Sequence, residues 1–481
     1  MKRIFTIAII VLSTLSTGCK KWLDVKPEDK FIEDEVFKNP QGFIDALNGI
    51  YLDLGSTDMY GFELTMGTMD LLAQYYNISP THSVIRQQLQ VYNYEDVSAR
   101  AQTDRLWTKM YKSILSINSL LGNLETKGGV LDANTLSIFK GEALALRAYL
   151  YLDLLRMYTP AYAIDPNAKL IPYYSKADNV AAPFQSSTYV ADRILEDLAM
   201  AEGLLGKVDP ALTDSKIDKT TGLVNIGVKP YLTYRNYHMN YYAVLALKAR
   251  TFLWLGQKDK ALAAAEQVIA IKGKFPWITA DQVNNTSSPN LVFSPEIIFA
   301  FENPKLYDNY NANFSAALRP ESMLYAGSSN SFLSNIYDNW ELDYRYKSMW
   351  KPDGDKVFSV FVKYKDLLSP GGMNFRYTVS GIRLSEVFLI AAECESNSTK
   401  ALAYINEIRE HRNCLPIGTT TDLQGDILKE TRREFYGEGQ LWYFYKRKQI
   451  SNIFSATGLR DVSLEAKNYV FPLPLSETEP R

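Results

Sequence analysis

The stretch Tyr241–Gly273, YYAVLALKARTFLWLGQKDKALAAAEQVIAIKG, reads as two helices folded back on one another. Leu245, Ala249, Phe252 and Gly256 recur at helical steps and share one face. Gln257-Lys258-Asp259 is a polar turn, and Gly256 supplies a helix end. Ala261, Ala265 and Val268 then form a second apolar stripe, and small residues on both stripes let the helices approach closely.

The second-helix pattern Ala261-x3-Ala265-x2-Val268 returns as Ala191-x3-Leu195-x2-Leu198 and as Ala401-x3-Ile405-x2-Ile408. The order Leu, Ala-x2-Phe, Gly, Ala-x3-Ala resembles a tetratricopeptide unit of about 34 residues. Leu245 stands where a Trp is usual, Ala265 where an aromatic is usual, and Gly273 replaces the closing Pro. Three copies argue for stacked hairpins, none able to bury its apolar face without neighbours. Ordinary amphipathic helices on an unrelated scaffold would share the local periodicity. The expected fold is mainly α: a tetratricopeptide-like helical-hairpin scaffold with long irregular loop excursions and a few short strands.

The chain has 481 residues, room for one large helical array with insertions, and a net charge of −2, so no basic field points to nucleic acid. Three cysteines, Cys19, Cys394 and Cys414, make no disulfide framework. His82, His238 and His411 lie far apart without metal-ligand spacing. Asp353-Gly354-Asp355 reads as a turn before a calcium loop. No phosphate loop or nucleophile elbow appears, and neither metal nor cofactor is expected.

Lys2-Arg3 precede the apolar run Ile4 to Leu15 and then Ser16-Thr17-Gly18-Cys19. This is the order of a secretory signal, and the run is shorter than the roughly 20 residues a spanning helix needs. Cysteine after Thr-Gly resembles a lipoprotein cleavage site, which implies a signal peptide at 1–18 and acylation of Cys19. The usual Leu three places before Cys is Ser16 here, with Leu15 one step further out.

Helices are expected from Pro40 to about Tyr51, over 104–124, 137–158 and 188–205, then again from residue 382 onward. Between them lie two excursions. The first, 58–100, carries Tyr75, Tyr76, Asn77, Tyr92 and Asn93; the second, 275–381, carries Tyr310, Trp340 and Tyr344. A strand or buried run is expected in 293–301 and a strand in 358–364, and Gly371-Gly372 marks a turn. Long irregular segments on a regular scaffold are commonly functional.

Cys19 followed by Trp22-Leu23-Asp24 and Pro27, then Ala46-Leu47-Asn48-Gly49-Ile50-Tyr51, resembles the start of SusD/RagB nutrient-uptake lipoproteins. Further blocks of that family follow in order: Arg383-Leu384-Ser385-Glu386, Asn406-Glu407-Ile408-Arg409, Glu434-Phe435-Tyr436-Gly437-Glu438-Gly439 and Pro472-Leu473-Pro474. The chain departs where Leu441 and Phe444 occupy places that hold Arg and Asp in many relatives, so that local ion pair is absent. The resemblance covers nearly the whole chain, with an N-terminal region at 19–235 and a C-terminal region at 236–481. It implies a lipid-anchored outer-membrane protein facing the cell exterior. Such a protein binds nutrient, often glycan, and delivers it to a SusC-like TonB-dependent transporter. The alternative from another class is a periplasm-facing tetratricopeptide-type adaptor that organises protein partners.

Aromatic rings stack on the C–H faces of sugars while Asn, Asp and Arg bind their hydroxyls, so convergent rings and polar groups suit an oligosaccharide site. The ligand-binding candidates are therefore Tyr75, Tyr76, Asn77, Tyr92, Asn93, Tyr310, Trp340 and Tyr344. Trp107, Trp254 and Trp442 sit in helical runs and belong to the core. Glu434 and Glu438 sit four apart on an expected helix, so their carboxylates could approach the spacing of a hydrolase pair. Arg432, Arg433, Lys446 and Arg447 nearby read instead as a structural ion network, since neighbouring cations lower a carboxylate pKa when an acid catalyst needs it raised. No catalytic residue is assigned.

Overall fold

A computed structural model describes residues 35–178, 180–213, 229–367 and 375–478. The signal segment 1–18, Cys19, Trp22-Leu23-Asp24, Pro27 and Gly371-Gly372 lie outside the described residues.

Ten helices carry the architecture: α1 (Pro40–Leu54), α2 (Val97–Lys127), α3 (Ala133–Tyr158), α4 (Ser187–Val208), α5 (Tyr241–Trp254), α6 (Lys258–Ile269), α7 (Leu384–Cys394), α8 (Ser398–Glu410), α9 (Leu423–Glu434) and α10 (Gln440–Lys448). The first eight pack as four hairpins, α1 with α2, α3 with α4, α5 with α6 and α7 with α8. Each hairpin also packs on the next, through α2 with α3, α4 with α5 and α6 with α7. The expected hairpin array is there, and the three repeated patterns are the second helices of its last three units. Ala191, Leu198, Ala261, Ala265, Val268, Ala401, Ile405 and Ile408 are buried, whereas Leu195 is half-buried.

Local chemistry sets the ends of these helices. Asn39, Asp96, Asp132, Ser186, Asn240, Asn397 and Asp422 each accept a main-chain N–H at a first turn. Gly256, at φ +74°, closes α5: its N–H donates to Leu253 O, and Gln257 N donates to Phe252 O at 2.8 Å. From Gly141 to Tyr158 every residue of α3 is buried, as expected of a central helix covered on all sides. Trp107, Trp254 and Trp442 are buried as expected.

The strands are short, and among the described residues eight of them form four two-stranded sheets, more than the two segments the sequence suggests. β3 (Ile297–Glu302) pairs antiparallel with β6 (Thr378–Arg383), so Ile382 and Arg383 are strand and α7 starts only at Leu384. Between them, β4 (Trp350–Lys351) pairs with β5 (Val360–Phe361), and the expected strand 358–364 shrinks to those two residues. β1 (Lys169–Pro172) pairs with β2 (Phe184–Ser186), and β7 (Asn452–Ser455) with β8 (Arg460–Ser463). The first excursion is less irregular than its period implies, holding short helices at Thr68–Leu72 and Val84–Gln90. Asp353-Gly354-Asp355 is a turn at Gly354 φ +59°, with Asp353 paired to Lys365 and Asp355 to Lys356.

Buried ion pairs cross the scaffold at several levels. Burial opposes ionisation of Glu142, but Arg235 and His238 beside it bring its pKa down to about 2. Burial likewise opposes Glu393, and Arg447 and Lys448 bring it to about 2. Both groups ionise more readily folded than unfolded, so each contributes stability that is present above the ordinary value of 4.5 and is lost as pH falls toward 2. Urea unfolding midpoints should therefore drop steeply across that interval. Midpoints that stay flat down to about pH 2 would contradict the assignment.

Candidate ligand-binding site

The first excursion leaves α1 and returns across the C-terminal helices. Gln74 (φ +65°) and Tyr92 (φ +59°) hold left-handed backbone without being glycine, a strained state that persists only when surroundings over-determine it. Here they do. Gln74 Nε2 donates to Gln90 O at 2.8 Å and Tyr92 Oη at 2.7 Å, while its Oε1 accepts from Ser455 Oγ at 2.8 Å. Tyr92 stacks on Trp442, centroids 5.5 Å apart and rings 11° from parallel.

That clamp fixes Asn77 at a seam between the two excursions and the β7–β8 turn. Asn77 N donates to Tyr325 O at 2.7 Å, and Asn77 Nδ2 donates to Tyr325 Oη at 3.1 Å. Ile78 N and Gln90 Nε2 donate to Thr457 Oγ1 at 3.0 and 2.6 Å. Tyr325 lies against Phe358 with centroids 4.9 Å apart. Nearby in the same assembly Phe332 stacks on half-buried Phe454 at 5.7 Å, and the Arg432 guanidinium lies 6.0 Å from the Phe454 centroid. The half-buried Asn77 amide keeps its Oδ1 without a protein partner among the described residues. It is a fixed acceptor of the kind a sugar hydroxyl requires, while the Tyr325 and Phe358 rings behind it are themselves buried, each 6% exposed.

The other candidates sort by burial. Tyr75, Tyr76, Tyr92 and Tyr310 were expected to offer stacking faces, and the structure corrects this: all four are inside, with Tyr76 fully covered and Tyr310 2% exposed. Tyr75 Oη donates to Arg432 O and Tyr76 Oη to Met66 O, both at 2.6 Å, so their polar ends are spent on backbone. Tyr75 packs on Tyr436 with centroids 4.2 Å apart. Asn93 is exposed and bonds Gln88, on the side chain at 2.7 Å. Trp340 and Tyr344, half-buried, sit at a second seam, against the segment after α8: Trp340 Nε1 donates to Asn413 O at 2.8 Å and Tyr344 N to Arg412 O at 3.1 Å. Tyr325, Phe454 and Thr457 had no sequence signal, because segments hundreds of residues apart bring them together.

Behind the seam lies the ion network, differently wired from the sequence reading. α9 ends at Glu434, and Gly437 (φ +81°) and Gly439 (φ +72°) turn the chain before α10, so Glu434 and Glu438 share no helix. Glu434 accepts from Arg345 at 2.8 Å and from Arg383 and Arg412 at 2.6 Å. Burial opposes its ionisation, but these three guanidiniums hold its pKa well below the carboxylate range. Glu438 pairs with Lys363 and, at 2.9 Å, with Arg383. The cations expected around Glu434 act elsewhere: Arg433 meets Asp338 and Glu430, Arg447 meets Glu393, and Lys446 binds the carbonyl of Arg156 at 2.7 Å. Cys394 and Cys414 are free thiols. Among the described residues no cluster of His, Cys, Asp or Glu could hold a metal ion, and no helix is long and apolar enough to cross a membrane.

Four stacked hairpins carrying two clamped excursions define a helical-repeat scaffold protein whose excursions meet the C-terminal part at two seams, where Asn77, Trp340 and Tyr344 are half-buried. Two family models match it, one described as starch-binding and associating with the outer membrane over residues 21–217, the other as the SusD family over residues 341–471. The chain belongs to the SusD family. It is similar to the SusD-like protein P38 of Formosa agariphila, 22% identical over 92% of this chain and 91% of that protein. Among solved structures it resembles a SusD superfamily protein of Bacteroides thetaiotaomicron (TM-score 0.69, 21% identity, covering 92% of this chain and 97% of that one). It also resembles a laminarin-binding SusD-like protein (TM-score 0.61, 16% identity, covering 92% and 98%). The family is one of carbohydrate-binding proteins associated with the outer membrane of the cell surface.

Proposed function

We propose that this chain is a cell-surface lipoprotein, anchored through Cys19, that captures oligosaccharide and delivers it to a SusC-like TonB-dependent transporter without cleaving it. The observation that carries the reading is family membership joined to the Asn77–Tyr325 seam, where a half-buried amide acceptor is held in place between the two excursions. Trp340 and Tyr344 extend the candidate surface at the second seam. Glu434 supports a non-hydrolytic role, since a carboxylate neutralised by three arginines has no proton to give at neutral pH.

Affinity electrophoresis against laminarin, soluble starch, xylan and pectin tests the binding. At least one neutral polymer should retard the protein, and Asn77→Ala should weaken that retention about tenfold, the loss of a hydrogen bond worth about 1.4 kcal/mol. Retardation by none of the four would overturn the reading. The anchor has its own test: metabolic labelling with an alkyne fatty acid should tag the wild type, and Cys19→Ala should lose the label and leave the membrane fraction. Unchanged labelling in that variant would place the anchor elsewhere.

A further inference from the structure

A groove of about 400 Å³ runs along α2 between that helix, the connection after β1 and the C-terminal turn Leu475–Thr478, remote in sequence from both seams. Its size falls within the range of about 300–1,000 Å³ usual for small-ligand sites. The floor is aromatic and already fixed. Tyr111 Oη donates to Pro172 O at 2.9 Å, and Asn118 Nδ2 donates to Tyr174 O at 2.9 Å, tying the connection to the helix. Tyr111 and Tyr174 meet edge to face, centroids 5.8 Å apart at 83°, and both are half-buried. Beside them Leu115 is 50% exposed, so apolar surface remains open in a concavity. The rim is polar, with Lys176, Asp178 and Glu477. One cation among two carboxylates gives no field that would select a phosphate or a polyanion.

From this combination of a fixed ring floor, open aliphatic surface and a near-neutral hydroxyl-binding rim, we infer that the α2 groove is a second carbohydrate site. It takes a neutral oligosaccharide segment. The inference rests on the glycan-binding reading and adds to it that one polymer engages two separated sites on the same molecule. Two sites on one chain raise apparent affinity for long polymers through effective concentration and leave short fragments bound at single-site strength.

The test compares wild type, Leu115→Asp and the double variant Lys176→Ala/Asp178→Ala on whichever neutral polysaccharide retards the wild type, and on a hexasaccharide cut from it. All three changes are at surface positions, and an unchanged urea midpoint verifies folding. Both variants should bind the polymer five- to tenfold more weakly, and the Leu115→Asp loss should multiply with that of Asn77→Ala. Polymer affinity within twofold of wild type in both variants overturns the groove and leaves the glycan-binding reading standing. A wild type that binds no polysaccharide overturns both.

Discussion

Glu434→Gln should unfold at markedly lower denaturant than the wild type, with the m-value unchanged. The carboxylate is wholly buried and is the common partner of Arg345, Arg383 and Arg412, each itself at most 1% exposed on its side chain. Glutamine keeps the volume but removes the charge, leaving three buried guanidiniums short of a counter-ion. Their other partners are Glu296, Glu430, Glu438 and Asp343, which cannot shift freely inside a packed interior. Removing one partner of a buried pair costs about 3–5 kcal/mol, and this site is shared three ways. The loss appears as a lower midpoint in guanidinium chloride followed by circular dichroism. A midpoint shift equivalent to less than about 1 kcal/mol would mean that the network relaxes around the gap. Glycan retention by the folded variant should be unaltered, which separates this structural role from catalysis.

Gly439→Ala is the second large effect. At φ +72° the position already excludes most side chains, and a Cβ built there would lie 2.5 Å from Leu64 O and 2.8 Å from Thr65 Cα. Nothing flexible can move aside, because both atoms are backbone of the first excursion. The same turn donates Gly437 N and Gly439 N to the buried Asp70 carboxylate at 2.6 and 3.0 Å, the link that docks the excursion on the start of α10. Backbone strain and overpacking together cost roughly 2–5 kcal/mol. Gly49→Ala is the control: it is exposed within α1 and a Cβ there meets nothing within 4 Å. That variant should be neutral or gain about 0.5–1 kcal/mol from helix propensity. Equal midpoints for the two alanine variants would refute the close approach.

The hairpins were legible in the residues because a helix writes its packing into a short window. Ala261, Ala265 and Val268 face one neighbour at local spacing, and capping residues such as Asn240 and Asn397 mark the boundaries within the same few positions. The aromatic loops carried no such code. Tyr75, Tyr76 and Tyr310 have the composition of a sugar platform, but composition does not say which side of a loop faces water. The helix expected through Glu434 and Glu438 stops at Glu434 for a similar reason: Gly437 and Gly439 take positive φ and donate their N–H groups to Asp70, a buried carboxylate 367 and 369 residues away in sequence.

Sequence by itself determined the repeat, the class of scaffold and the family, since each rests on periodicity or on motifs that survive without coordinates. Only tertiary structure decided which rings are core and which are surface, because Asn77 meets Tyr325 and Gln74 meets Ser455 across 248 and 381 residues. Contacts at that separation are set by how the excursions fold over the hairpins, and burial, not residue type, then separates the packed aromatics from those left open.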